Sequence, residues 1–267
     1  MTNTLATFWT GSPLSTIEYI SALSFREVGH QLIIYAVGDI GKAPPGVEVR
    51  DAREILDTNI VKHRKSGSVA IYADFFRYAL FTKTDFTWVD LDIVAIKPID
   101  ISKPYVFGYE NDREVNNAVL KLPKTSPALA ELLKFGSDTH GYPPTLKGFR
   151  RLKYMVKSFG LGMHISEWPW GSTGPRALTH FAELSGEITH AQNVDAFYPI
   201  SHHDAHRFAE PNQLNFESFP EETQSVHLWG KALRATLRDK HGGRIPENSF
   251  LDIARKRYSR WSGYSIP

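Results

Sequence analysis

No cysteine occurs anywhere in the 267 residues, so neither a disulfide scaffold nor a thiolate metal site can be built, and a small bridge-held secreted fold is excluded. No run approaches the ~18 consecutive apolar residues that a membrane-spanning helix needs. Residues 1–11 lack the basic start and long apolar stretch of a secretory signal. Excess charge of one sign is missing too: Lys+Arg 31 against Asp+Glu 29 leaves a formal net charge of +2, too even for a chain that coats duplex nucleic acid. There is no repeat, no low-complexity tract and no clear linker. These absences point to a cytoplasmic protein with no nucleic-acid partner and at most peripheral contact with the inner face of a membrane. What is present suits a packed interior, since 42% of residues are hydrophobic and 12% aromatic; one domain spanning 1–267 is the expectation.

Strand and helix signals alternate along the first half. Leu5–Trp9 reads as a buried strand closed by Gly11-Ser12-Pro13, and Leu14–Val28 has helical apolar spacing up to Gly29. Gln31–Val37 and a weaker Val47–Val49 are the next strands. Val69–Phe81 reads as a mostly buried helix and Phe86–Val89 as a strand, with Ile93–Ile96 extended up to Pro98. That order argues for an α/β layered fold, with ligands beyond the carboxyl ends of the strands. The second half is looser. Tyr105–Tyr109 and Val115–Leu122 look like strands, Pro127–Phe135 a helix, and Leu146–Phe159 a basic helix. Thr173 reads as the cap of a helix running from Pro175 to Leu184.

The most telling stretch is Thr87–Val94, which carries Asp90 and Asp92 at the end of an apolar, β-prone run. Side chains at i and i+2 of an extended segment share a side, so both carboxylates are expected to face one hard cation while Leu91 turns inward. Such oxygen ligands suit Mn²⁺ or Mg²⁺ held jointly with substrate phosphates. An Asp-x-Asp triplet by itself also describes a solvated turn. Upstream, Asp74 and Arg77 share a helix face; on their own they describe an exposed ion pair worth a few tenths of a kcal/mol.

Taken together, Ala73-Asp74-Phe75-Phe76-Arg77-Tyr78 followed without a gap by Lys83, Trp88, Asp90 and Asp92 resembles the nucleotide-sugar glycosyltransferases with a DXD sugar-binding region. These are the glycosyltransferase family 32 enzymes, the α-1,4-galactosyltransferases and the glucosylating clostridial toxins. Their pattern runs approximately S-D-x-x-R-Y, then K-Y-G-G-x-Y-x-D-x-D. Here the Gly-Gly is replaced by Asp85-Phe86 and the leading Ser by Ala73, so the turn into the strand must be built differently.

The resemblance implies the GT-A (Rossmann-like) nucleotide-sugar-binding fold, a mixed sheet flanked by helices, with a donor-binding part over about 1–125 and an acceptor and closing part over about 126–267. It implies that Phe8, Trp9 and Thr10 pack around base and ribose, and that Asp74, Arg77 and Asn117 meet the sugar. Gly174 and Pro175, within Thr173–Thr179, would lie near the transferred hexose. In the late Val226-His227-Leu228-Trp229, His227 would complete the metal shell and Trp229 cover the diphosphate. The implied activity is metal-dependent hexosyl transfer with retention, from a donor that is a nucleotide diphosphate sugar, UDP-hexose favoured, to a glycan, lipopolysaccharide or small glycoside hydroxyl.

Two other readings stay open. One is a catalytically silent carbohydrate-binding or scaffold protein of the same fold. The other is a sugar nucleotidyltransferase, disfavoured because no Gly-rich phosphate loop with Lys or Arg follows the first strand. Gly174-Pro175 is equally explained as helix-start chemistry, compatible with a ligand because helix N-termini bind anions. His202-His203-Asp204-Ala205-His206 reads as a solvated loop facing the acceptor rather than a zinc site. Arg150, Arg151, Lys153 and Lys157 read as a wet helix face, with an anchor for anionic membrane or acidic glycan as the functional alternative.

Overall fold

The computed structural model describes residues 4–262. Its strands are β1 Thr4–Thr10, β2 Gln31–Val37, β3 Glu48–Asp51, β4 Thr87–Val89, β5 Ile93–Ala95, β6 Val106–Tyr109, β7 Val115–Lys121, β8 His140–Gly141, β9 Met163–His164 and β10 Ser225–His227. Its helices are α1 Thr16–Glu27, α2 Ala70–Lys83, α3 Pro127–Leu132, α4 Gly148–Lys157, α5 Pro175–Ser185, α6 Val194–Phe197, α7 Gly230–His241 and α8 Phe250–Ser262. A six-stranded sheet runs β3-β2-β1-β4-β7-β6. β3, β2, β1 and β4 are parallel, β7 pairs antiparallel with β4, and β6 pairs antiparallel with β7. The chain is thus α/β with a mixed, Rossmann-like sheet.

Alternation along the strands makes the layers. Leu5, Ile34, Val89 and Val119 face the side packed by α1 and α8, whereas Ala6, Phe8, Ile33, Tyr35, Trp88 and Leu120 face α2, α3 and α5. α1 starts where the Ser15 N–H donates to the Glu18 carboxylate at 2.8 Å, and the chain leaves it through Gly29 at φ +89, a left-handed turn that glycine makes without steric cost. α2 is wrapped on nearly every side: Tyr72, Phe76 and Leu80 enter the central core, while Ile71 and Phe75 pack on Met163, Ile165 and Trp168. Among the described residues no helix is long and apolar enough to cross a membrane.

The turn into β4 is built without glycine. Thr84 ends α2 in an extended conformation, φ −135, and its hydroxyl accepts the Phe86 N–H at 3.3 Å while donating to the Leu80 carbonyl at 3.0 Å. No positive φ is needed, so Asp85 and Phe86 fit where the family pattern has two glycines.

A buried carboxylate fastens the second half. Glu187 accepts from Tyr105 Oη at 2.8 Å, Ser185 Oγ at 2.7 Å and the Ala128 N–H at 2.8 Å. Burial pushes its carboxyl up, but these hydrogen bonds outweigh burial and hold it below the usual range. A depressed carboxylate stabilises the fold above the unfolded pKa of about 4.3 and loses that contribution as pH falls through its folded value. Glu187→Gln is therefore expected to cost about 2 kcal/mol at neutral pH. Urea unfolding at descending pH should show the gap to wild type closing below about pH 4.

Candidate metal site

Asp90-Leu91-Asp92 forms a turn rather than the extended segment that the alternation predicts: the Ile93 N–H donates to the Asp90 carbonyl at 3.2 Å. The reason is topological. β4 belongs to the main sheet and β5 to a separate pair with β10, so the chain must change direction between them. Leu91 is buried as expected, and both carboxylates still line one cavity. Two backbone bonds and one to a side chain hold the turn: Asp90 N–H to Ala118 O, Leu228 N–H to Asp92 O, and Gly230 N–H to Asp92 Oδ2, each 2.8 Å.

The β5–β10 pairing sets His227 opposite Ile93, which brings its ring to Asp92, Nε2 lying 3.2 Å from Oδ1. Ligand atoms of Asp90, Asp92 and His227 all lie within 4.8 Å of one another. The Trp229 indole stacks on the His227 ring, centroids 3.9 Å apart and planes at 29°, and donates Nε1–H to the Ile200 carbonyl at 2.9 Å. Trp229 has φ +54, a conformation costly for so bulky a residue. That kink begins α7 and aims the Gly230 N–H at Asp92; a Cβ on Gly230 would stand 3.0 Å from Asp92 Oδ2 and 2.5 Å from Arg234.

Charge is balanced unevenly across the cluster. Burial pushes the Asp92 carboxyl up, but His227, the Gly230 N–H and Arg234 outweigh it and hold it at about 2. Burial also pushes Asp90 up, Arg77 opposing and Asp92 adding to the rise, and here the raised direction wins. Burial lowers His227, yet the two carboxylates lift it above the ordinary imidazole value. The buried Nδ1 of His227 has no hydrogen-bond partner. Two crowded carboxylates and an imidazole with a spare nitrogen form an O,O,N donor set that fits Mn²⁺, and Mg²⁺ with more water.

Asp74 and Arg77 are not an exposed pair. Both are buried, at 7% and 4% exposure, because the loop before α5 covers this face of α2. Asp74 Oδ1 accepts from Asn117 Nδ2 at 2.9 Å and Oδ2 from Thr173 Oγ1 at 2.7 Å. Arg77 donates Nη1 to the Asn117 carbonyl, lies 3.2 Å from Asp90 Oδ1 through Nη2 and 3.6 Å from Asp74 Oδ1 through Nε, and sits over Trp88 at 4.6 Å. Trp88 Nε1–H also reaches Asp90 Oδ1, at 2.7 Å. Thr173, expected as a helix cap, instead spends its hydroxyl on Asp74, and the cap position falls to Gly174. A Cβ there would be 2.9 Å from Asp74 Oδ2 and 3.0 Å from Asn117 Nδ2, so Gly174 is what lets the loop close over the network.

The cavity has a volume of about 730 Å³, within the range that holds a small-molecule ligand. It gathers Asp74, Arg77, Asp90, Asp92, Asn117, Pro175, His227 and Trp229 from the sequence expectation. It does not gather Gly174, which backs the Asp74 network from behind the wall, nor Phe8, Trp9 or Thr10. Phe8 is a core residue against Tyr72 and Phe76, at 5.1 and 5.0 Å between ring centroids, while Trp9 Nε1–H bonds the Ser12 carbonyl and Thr10 Oγ1 the Val37 carbonyl. His202 and Arg176, from the acceptor-facing loop and the Thr173–Thr179 element, also line it, while His63, Trp168, Trp170 and Lys231 are wall residues that the pattern does not mark; for the two tryptophans the Trp168-Pro169-Trp170-Gly171 run is the one signal. His202, His203 and His206 lie on a 3-10 helix, and among the described residues only Asp90, Asp92 and His227 group as candidate ligands. A larger hollow of about 1060 Å³ is lined by Phe86 and Lys121, but its polar groups are engaged locally, Lys124 with Asp85 at 3.6 Å, Asp100 with Lys103 at 3.7 Å, and Lys121 donating to the Ile101 carbonyl at 2.8 Å. Compared with known proteins, the chain matches no family model and no curated protein.

Proposed function

We propose that this chain is a metal-dependent, retaining glycosyltransferase of the GT-A type that moves a hexose from a nucleotide diphosphate sugar, UDP-hexose favoured, to a glycan, lipopolysaccharide or small glycoside hydroxyl. The observation that carries this reading is the convergence of Asp90, Asp92 and His227 in one cavity with the Asp74–Arg77–Asn117 network. A divalent ion there would supply Lewis-acid neutralisation of the departing diphosphate. Arg77 fixes the Asp90 carboxylate. Asp74 keeps a lone pair on each oxygen beyond its bonds from Asn117 and Thr173, enough to accept a sugar hydroxyl from the cavity that it lines. Lys231 and the N-terminus of the 12-residue α7, whose first residues line the cavity, suit the diphosphate. Trp168, Trp170 and Trp229 supply the flat apolar walls against which sugar rings pack.

Thermal unfolding with Mn²⁺ and a panel of UDP, GDP and nucleoside triphosphates tests this. UDP with Mn²⁺, each well above its dissociation constant, should add about 3 kcal/mol of stability, several degrees of melting temperature, with UDP alone giving far less. Slow hydrolysis of one UDP-hexose without acceptor would name the donor. No shift with any nucleotide would favour the silent scaffold, and preference for a triphosphate would favour the nucleotidyltransferase.

A further inference from the structure

α4 is an amphipathic helix turned inside out. A surface helix normally sets its apolar stripe against the core and its charges toward water; in α4 no residue is buried, and Phe149, Leu152, Met155 and Val156 are all exposed. At about 100° per residue these four fall on one arc. Tyr154, the one half-buried residue of the helix, lies opposite and packs against the cluster of Ile165 and Trp168. The apolar arc therefore points away from the protein. It continues through Phe159, 93% exposed and with φ +50, and Leu161, 84% exposed, so a strained backbone displays a phenyl ring that touches little of its own fold. Of the ten large hydrophobic residues that are exposed among the described residues, six lie between 149 and 161, which makes this a patch rather than scatter.

The charges around it choose the occupant. Arg151 flanks the arc on one side, and Lys153, Lys157 and Arg150 on the other, with Lys147 just before the helix. No acidic residue occurs between Asp138 and Glu167. A second copy docking through the same patch would set one cationic rim against another. We propose that the 147–161 segment is a docking surface for an anionic lipid bilayer, with the apolar crest entering the interface and the basic rim meeting lipid headgroups. Lys147 and Arg150 line a cleft shared with Glu114 and Arg176, both of which also line the main cavity. Docking would thus set the cavity mouth at the bilayer, where a lipid-borne acceptor presents its hydroxyl.

Flotation with vesicles tests this without donor or metal, so its outcome is separable from that of the transferase reading. The full chain should float with phosphatidylglycerol–phosphatidylcholine vesicles and bind phosphatidylcholine alone roughly tenfold more weakly. Phe149→Ser/Val156→Ser/Phe159→Ser should weaken anionic binding by roughly tenfold or more, with an unchanged melting temperature because these side chains are exposed. Arg150→Glu/Lys153→Glu/Lys157→Glu should remove the preference for anionic lipid. Absence of flotation by the wild type, undiminished flotation of the triple serine variant, or lipid preference that survives charge reversal would each overturn the proposal. So would a concentration-dependent dimer that the serines abolish while lipid binding is absent, which would make the patch a contact between copies.

Discussion

Replacing Arg77 by Met should lower stability by about 3–5 kcal/mol, the cost of removing one member of a buried ionic network, and drop the melting temperature by roughly 10 °C or more. The guanidinium is 4% exposed and lies between Asp74 and Asp90, with the Asn117 carbonyl and the Trp88 ring filling its remaining approaches. Methionine matches much of its volume but strands two carboxylates in a desolvated place. Burial already raises both, and Arg77 is the main influence opposing that rise. With it gone, both carboxyls favour the protonated form more strongly. A carboxyl whose folded pKa is raised destabilises the fold while ionised and is relieved on acidification, so the variant should regain part of its loss between neutral and mildly acidic pH, whereas wild type should regain less. Arg77→Lys should recover only a fraction, because a point ammonium cannot span both acids and the carbonyl as a planar fork does. Urea unfolding at two pH values settles it: a loss under 1 kcal/mol, or one indifferent to pH, would mean that the network contributes little.

The second large effect is functional. Asp92→Asn should abolish the Mn²⁺-dependent stabilisation by UDP and lower transfer or donor hydrolysis by on the order of 10²- to 10³-fold, the scale of losing one electrostatic contact to developing charge. Asparagine keeps a carbonyl oxygen for the Gly230 N–H and almost the same shape. The favourable surroundings that hold the Asp92 carboxylate at about 2 act only on the charged form, so the apo variant should lose about 2 kcal/mol at neutral pH yet remain folded. Isothermal titration with Mn²⁺ and UDP, set beside apo melting, separates the two. A variant that still binds the pair as wild type does would remove Asp92 from the metal shell, and one that unfolds would recast its carboxylate as a structural clamp for α7.

What the chain reveals in one dimension is governed by the range of the interaction. β1, β2, β7, α1 and α2 are legible to within a few residues because alternation, helical spacing and punctuation by Gly and Pro are local, and the Asp90–Asp92 doublet stands out for the same reason. β5, at Ile93–Ala95, is legible as the extended run before Pro98, but its partner β10 is not: a strand of three residues that owes its existence to pairing across about half the chain leaves no periodicity to read. α7 and α8 are missed because their apolar faces are narrow and their polar residues many. The position of Asp74 and Arg77 on one helix face is readable; their burial is not, since what covers them is a loop one hundred residues later whose key device, Thr173 bonded to Asp74, follows no spacing rule. Phe8 is ambiguous for the opposite reason: an aromatic at a strand end fits a ligand wall and a core equally well, and only the partner layer of Tyr72 and Phe76 shows where its ring packs.

The short β5–β10 ladder joins the candidate ligands across about half the chain. That ladder, with the Leu228 and Gly230 N–H bonds to Asp92, sets His227 beside the acidic pair, so the three-ligand cluster exists only once residues 225–230 have folded back onto residues 90–95. A nascent or clipped chain ending before Ser225 would carry two of the three candidate ligands and lack the third, however well its central sheet had formed.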